Sequence, residues 1–266
     1  MIRTIIHQKP SRLFLILCGF FIANALIAEI IGVKIFSLEK SLGILPLDLK
    51  IWGNVLSMNL TAGVLLWPVV FVMTDIINEY YGQKGVRFLS FLTAGLIVFA
   101  FVVFYGAMKL VPADFFITSK AGSGVPDMEM AYKGVLGQGS NIIIGSLVAF
   151  VLSQLVDVFV FHRIKKITGE KMVWLRATGS TLVSQFIDSF VVLFIAFYIG
   201  SRINNQQGDF EWPFSLFIAV GMVNYIYKFI MAVILTPVIY LAHRWIDRYL
   251  GHELATEMKE AAMKDD

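Results

Sequence analysis

The 266 residues are 58% apolar and only 15% charged, with a mean hydropathy of +0.75. An ordinary soluble domain carries about 25% charged residues, so this composition excludes a water-soluble fold and predicts a chain that lives in lipid. The net charge of +3 gives no reason to suspect nucleic acid as a partner, and the single cysteine, Cys18, excludes an intramolecular disulfide framework.

Crossing the hydrocarbon as a helix takes about 20 mostly apolar residues. Six such windows occur, near residues 13–33, 60–80, 87–110, 139–162, 177–200 and 214–243. The expected fold is all-α, a polytopic membrane protein with six transmembrane helices in one bundle. Residues 1–250 form the transmembrane domain and 251–266 a charged C-terminal tail without a periodic core face. Basic residues favour the cytoplasmic side. They crowd the N-terminus, the 84–87 and 163–176 connections and the segment after 244, which places both termini in the cytoplasm; Arg3, Lys171 and, on the outer side, Arg202 enter that tally.

The first window follows a basic start and contains Ala23-Asn24-Ala25, which resembles a signal-peptidase site. Its apolar run continues through Ile27, Ile30, Ile31 and Val33, too long for a signal segment, so the window is read as a retained helix. Asn24 is placed inward, and the face of Glu29 is open. The connection 34–59 follows, with Trp52 as an interfacial anchor. In the second window Pro68 reads as a kink seven residues before Asp75, and Thr74-Asp75 and Asn78-Glu79 share a face at i and i+4. Gly82 reads as a helix stop. The stretch 111–138, with six Gly and Pro among aromatic residues, suits either a binding loop or an external tether.

The fourth and fifth windows repeat each other. Ser153-Gln154-Leu155-Val156-Asp157 recurs as Ser184-Gln185-Phe186-Ile187-Asp188, and residues at i and i+3 lie on one helix face. A short basic connection between them predicts antiparallel packing that brings both stripes together. The last window carries Asn224 and Lys228 at i and i+4, then Pro237. A charge near the bilayer centre costs roughly 2.5–3.5 kcal/mol even on lenient scales, so Glu29, Asp75, Glu79, Asp157, Asp188 and Lys228 should face a protein interior or a watery cavity. A bare packing role is the alternative for a Lys228–aspartate pair. Glu79 reads equally well as a solvated interfacial carboxylate, and His162 and His243 as solvated helix ends.

Leu66-Trp67-Pro68, Phe71, Asp75 and Tyr81-Gly82, then Gln154, Asp157 and Phe161, then Ser180-Thr181 to Asp188 with Phe194-Ile195-Ala196-Phe197, and finally Tyr227-Lys228 with Pro237 form an ordered set. This set resembles the queuosine precursor transporter family, also called the vitamin uptake transporter family. The resemblance implies a six-helix bacterial inner-membrane importer of 7-cyano-7-deazaguanine or 7-aminomethyl-7-deazaguanine, with a likeness to substrate-binding subunits of energy-coupling-factor importers. It also implies that Asp75, Gln154, Asp157, Asp188 and Lys228 match the family's polar intramembrane positions.

A guanine-like base fits such groups. Its Watson–Crick edge offers adjacent N–H donors beside a carbonyl, and an ionised carboxylate is acceptor-only. Asp75, Asp157 or Asp188 can take the donors, Gln154, Gln185 or Lys228 can serve the carbonyl, and Phe71, Phe186, Phe190 or Tyr227 can stack. The candidate substrate-binding set is Asp75, Gln154, Asp157, Gln185, Asp188, Lys228, Asn24, Asn224 and Phe71. No P-loop, metal-ligand spacing or Gly-x-Gly-Asp protease motif occurs, so neither enzyme activity, metal nor other cofactor is expected. The expected partners are a small-molecule substrate and the bilayer. A homodimer and a partner ATPase remain open.

Overall fold

A computed structural model describes residues 8–137, 140–169, 172–200 and 213–264. Arg3, Lys171 and Arg202 of the charge tally lie outside the described residues. Helix α1, Lys9–Ile31, starts with Pro10 in its first turn, where the missing N–H costs nothing, and ends at Gly32. The end of the molecule near Gly32 is called upper and the end near Pro10 lower.

Above α1 the chain forms β1 (Ile35–Ser37), α2 (Leu38–Leu42), β2 (Leu49–Ile51), β3 (Asn54–Leu56) and β4 (Asn59–Thr61). Strand β1 pairs antiparallel with β4, Ile35 opposite Thr61, and β2 with β3, Leu49 opposite Leu56. The helical expectation therefore holds for the long apolar segments, while the upper connection adds two small ribbons. Glu39 of α2 ties them down. Burial pushes its carboxyl up, but the Met58 amide at 2.6 Å and the Ser37 hydroxyl at 3.1 Å donate to it and hold it below its ordinary value.

Helix α3, Trp67–Met108, has 42 residues, which as a straight rod would measure about 63 Å, twice the hydrocarbon thickness. It is not straight. Gly82 has φ 69° and ψ −175°, a conformation open in practice to glycine alone. The first arm starts at the upper end, where Gly63 just before it lies so close to Ala28 that an added Cβ would stand 2.6 Å from its carbonyl oxygen. It finishes at the lower end, where the Tyr81 hydroxyl donates to the Pro10 carbonyl at 2.7 Å. The second arm climbs back until Met108 lies beside Gly137. Pro68 corrects the sequence reading: it occupies the first turn of α3, where no hydrogen bond is lost, and kinks nothing. The 60–80 window also starts late, because residues 59–65 form β4 and a 3₁₀ turn.

After α4 (Asp114–Ile117) and α5 (Met128–Leu136), whose Asp127 cap accepts from the Met130 amide, come α6 (Ser140–Thr168) and α7 (Val173–Leu193). Helix α7 runs on as a π-helical segment, Phe194–Ile199. Helices α6 and α7 make the most extensive contact in the fold, and they pack antiparallel, Ser153 near Asp188 and Asp157 near Ser184, as the short connection between them predicts. Gly145 permits a close approach there: an added Cβ would stand 3.2 Å from the Ala196 amide and the Val192 carbonyl, tighter than ordinary packing. Helix α8, Phe214–Leu250, contains Pro237 and lies against α7 and α3. Helix α9, His252–Lys264, corrects the tail expectation. Its Leu254, Ala255 and Met258 pack on Ile76, Tyr80 and Leu250, and Ala262 lies against Gly82, so a stripe of two alanines, a leucine and a methionine forms a core face.

Five helices among the described residues are long and apolar enough to cross a membrane, making this a multi-pass membrane protein. Two of the six predicted windows fall within α3, on either side of Gly82. The central core joins Phe21 and Ala25 of α1 to Val70, Ile77 and Leu89 of α3 and Phe150 of α6.

Candidate functional site

A cavity of about 600 Å³ opens among the upper halves of α1, α6, α7 and α8, beneath the β-ribbons. That volume lies within the range of small-molecule sites. Its polar lining includes Glu29, Ser146, Asp188, Ser189, Asn224 and Lys228, and its aromatic lining Trp67 and Phe197. The Lys228 ammonium donates to an Asp188 carboxylate oxygen, and the Ser153 hydroxyl lies 3.5 Å from the other. Across the cavity Ser146 donates to Glu29 at 3.0 Å.

Below the cavity the polar groups continue through the bundle without open volume. A void of only about 10 Å³ is lined by Asp75 of α3, Thr181 and Gln185 of α7 and Lys228 of α8, so Lys228 borders both spaces. The Asp75 carboxylate receives Thr181 at 3.3 Å and Ser180 at 3.5 Å. Thr74 donates to Gln154 at 3.0 Å, and Ser184 to Asp157 at 2.9 Å. The repeated motif thus interlocks with itself: the serine of the α7 copy serves the aspartate of the α6 copy, and Ser153 approaches Asp188 in return. An antiparallel pair carrying the same short motif makes this exchange nearly two-fold symmetric, a geometry that sequence spacing alone suggests only as a shared face.

The lower end is closed by charge. Glu79, Lys165 and Arg176 are each no more than 2% exposed; Arg176 donates to Glu79 at 2.6 Å and Lys165 stands 3.3 Å from it. His162 is buried, 2.9 Å from Asn78. Tyr80 donates to Asp247 at 2.7 Å, and Lys259 of α9 donates to the same carboxylate at 2.9 Å. These contacts overturn the solvated readings of Glu79 and His162, and half-buried His243 lies 3.1 Å from the Tyr80 hydroxyl.

The candidate residues therefore separate into three groups. Asp188, Asn224 and Lys228 line the upper cavity, and Asp75 and Gln185 border the small void with Lys228. Gln154 and Asp157, fully buried, line neither space, which departs from the expectation of one shared cavity. Asn24 donates to the Phe20 carbonyl of its own helix at 2.8 Å, and Phe71 is buried in packing; neither lines the upper cavity or the small void. The suggested stacking rings also sit elsewhere: Phe190 packs on Phe186 and Phe217, and Tyr227 on Met58 and Leu60. Trp67 and Phe197 line the cavity instead. Among so many aromatic residues the sequence offers no signal to select them, whereas the membrane cost of Glu29 did mark it.

Residues 61–242 match the family described as "Putative vitamin uptake transporter". The chain is 28% identical over 187 residues to a "Probable queuosine precursor transporter" of Bacillus subtilis, covering 70% of this chain and 72% of that protein. It is 26% identical over 194 residues to a "Probable queuosine precursor transporter" of Haemophilus influenzae, covering 69% and 68%. It is also 24% identical over 181 residues to the "Queuosine precursor transporter" of Escherichia coli, covering 68% and 71%. No solved structure matches significantly. The family match takes in more than half of the chain, which belongs to the vitamin uptake transporter family.

Proposed function

We propose that the protein imports queuosine precursors, 7-cyano-7-deazaguanine or 7-aminomethyl-7-deazaguanine, across the bacterial inner membrane, and that the upper cavity is the substrate site. The observation that carries this reading is a cavity of about 600 Å³ set into a membrane bundle, with Asp188, Lys228, Asn224 and Glu29 on its walls. The relatives' names supply the substrate class. In this reading the two arms of α3 each cross the membrane, giving six crossings, with the upper end outside and both termini in the cytoplasm. The Asp188 carboxylate accepts from the Watson–Crick edge of the base, Lys228 or Asn224 donates to its carbonyl, and Trp67 or Phe197 covers a ring face. The sealed lower half fits a state open to the outside only.

The test is binding and uptake by the purified protein alone in liposomes. Labelled 7-deazaguanine bases should bind and enter without a partner ATPase. The matching 7-deazahypoxanthine, which lacks the exocyclic amine, should bind at least about tenfold more weakly, because a site built for a donor leaves its acceptor unpaired when that donor is missing. Equal affinity for both bases, or full affinity in Asp188→Asn, would remove Asp188 from the site.

A further inference from the structure

Asp75 and Asp157 form a second ionisable centre that the substrate cavity does not use. Both are within 1% of complete burial, and successive turns of α7 reach them: Ser180 lies 3.5 Å from Asp75 and Ser184, one turn on, 2.9 Å from Asp157. Thr74, beside Asp75, donates to Gln154, one turn before Asp157, so the two carboxyls lie at neighbouring levels of the α3–α6 contact. Their donors are neutral hydroxyls, Ser180 and Thr181 for Asp75 and Ser184 for Asp157. Among the described residues no cation pairs with either carboxyl. Moreover, Asp157 Oδ2 and, one turn earlier, Gln154 Nε2 are buried without any hydrogen-bond partner.

The surrounding charges are committed elsewhere. On α3 itself, Glu79 is held by Lys165 of α6 and Arg176 of α7. His162 of α6 lies on Asn78, Lys228 of α8 is bound to Asp188 of α7, and Lys259 of α9 is bound to Asp247. From α1 the nearest acid, Glu29, belongs to the cavity. Two adjacent ionised carboxylates without a counter-ion in a membrane interior repel one another and are each poorly solvated, and a single shared proton relieves both penalties.

We infer that the Asp75–Asp157 pair is a proton-binding site through which uptake is coupled to the proton gradient. The inference rests on the importer reading above and adds its energy source. A proton arriving from the upper side binds one carboxylate oxygen and takes the pair from two negative charges to one. The bundle then passes through its occluded state with substrate and proton aboard. Asp75 lies one turn from Glu79, whose ion pairs with Lys165 and Arg176 close the lower end. When that end opens, water reaches the pair, both carboxylates regain solvation, and the proton leaves downward. Among the described residues Lys228, which borders both the cavity and the void beside Asp75, is the one that lines both spaces.

The test uses the full-length protein in liposomes with labelled 7-cyano-7-deazaguanine, a neutral probe, and records infrared spectra of the same samples. Wild-type protein should accumulate the probe when the outside is acidic. It should also show a carboxylic-acid C=O band that shifts in Asp157→Asn. That variant should still bind and exchange the base but accumulate it at least about tenfold less. Asp75→Asn, which removes the other half of the pair, should behave alike and covers a folding failure of the first variant. Accumulation driven by sodium instead of protons, unchanged proton dependence in both variants, or no change in the band would overturn the inference. If the base does not bind wild-type protein, the substrate reading fails, and the infrared band still decides the proton site on its own.

Discussion

At the scale of single residues, charge in lipid is the most legible signal this chain offers. Asp75, Asp157, Asp188 and Lys228 stand out because each would be costly facing lipid, and all four are turned into the protein. What sequence cannot supply is the partner. Glu79 and Arg176 lie 97 positions apart, so nothing local distinguishes a buried ion pair from two solvated charges near a helix end. The Lys228–Asp188 pair shows how stability and function can be separated. Lys228→Met should lower unfolding free energy by about 3–5 kcal/mol, because an unpaired Asp188 carboxylate is left largely buried. Replacing both partners, Lys228→Met with Asp188→Leu, should recover most of that loss while base binding stays absent. Thermal melts in detergent beside a binding assay would show it; a double variant that regains binding would mean the pair only packs the helices.

At the scale of elements, the apolar windows and the α6–α7 repeat were readable because each depends on residues close in sequence. The upper ribbons were not, since β1 must find β4 more than twenty positions away. Helix α9 was missed for a different reason: its buried stripe includes Ala255 and Ala262, too small to register against charged neighbours. Gly82 illustrates a partly legible element: as a stop between two apolar windows, followed by the basic 84–87 connection, it announced the reversal of the chain, whereas its close approach to Ala262 had no sequence signal. At this position an alanine would have to adopt φ 69° and place its Cβ 3.2 Å from the Ala262 carbonyl oxygen. Gly82→Ala should therefore cost about 1–3 kcal/mol and loosen α9. Gly122→Ala, where an added Cβ meets nothing within 4 Å, should leave stability unchanged. Proteolysis near residue 252 in the two variants would compare them directly, and equal resistance would show that the turn tolerates a side chain.

At the scale of the whole molecule, the fold places groups of different character at successive depths: an open cavity, a buried pair of acids, then a closed charge network. The orientation proposed above rests on the basic residues, because lysines and arginines resist transfer across the bilayer and gather on the cytoplasmic side. Lys84 and Arg87 just beyond Gly82, and Arg163 and Lys166 at the end of α6, argue for a lower end inside, and that end also carries α9 and the start of α1. In this proposal the 111–137 stretch lies outside with the cavity mouth. Single cysteines in a Cys18→Ser background test this arrangement at exposed positions. Ser119→Cys should react with a membrane-impermeant maleimide on intact cells, whereas Lys84→Cys and Lys166→Cys should react only after permeabilisation. The Lys84 position is the most telling, because a helix α3 that crossed once as a straight rod would hold residue 84 near the middle of the bilayer, inert to the reagent from either side. Labelling of Lys84→Cys after permeabilisation, together with protection in intact cells, is the outcome that a hairpin turning at Gly82 on the cytoplasmic side requires; labelling from outside would invert the whole bundle and place the cavity on the wrong face for import.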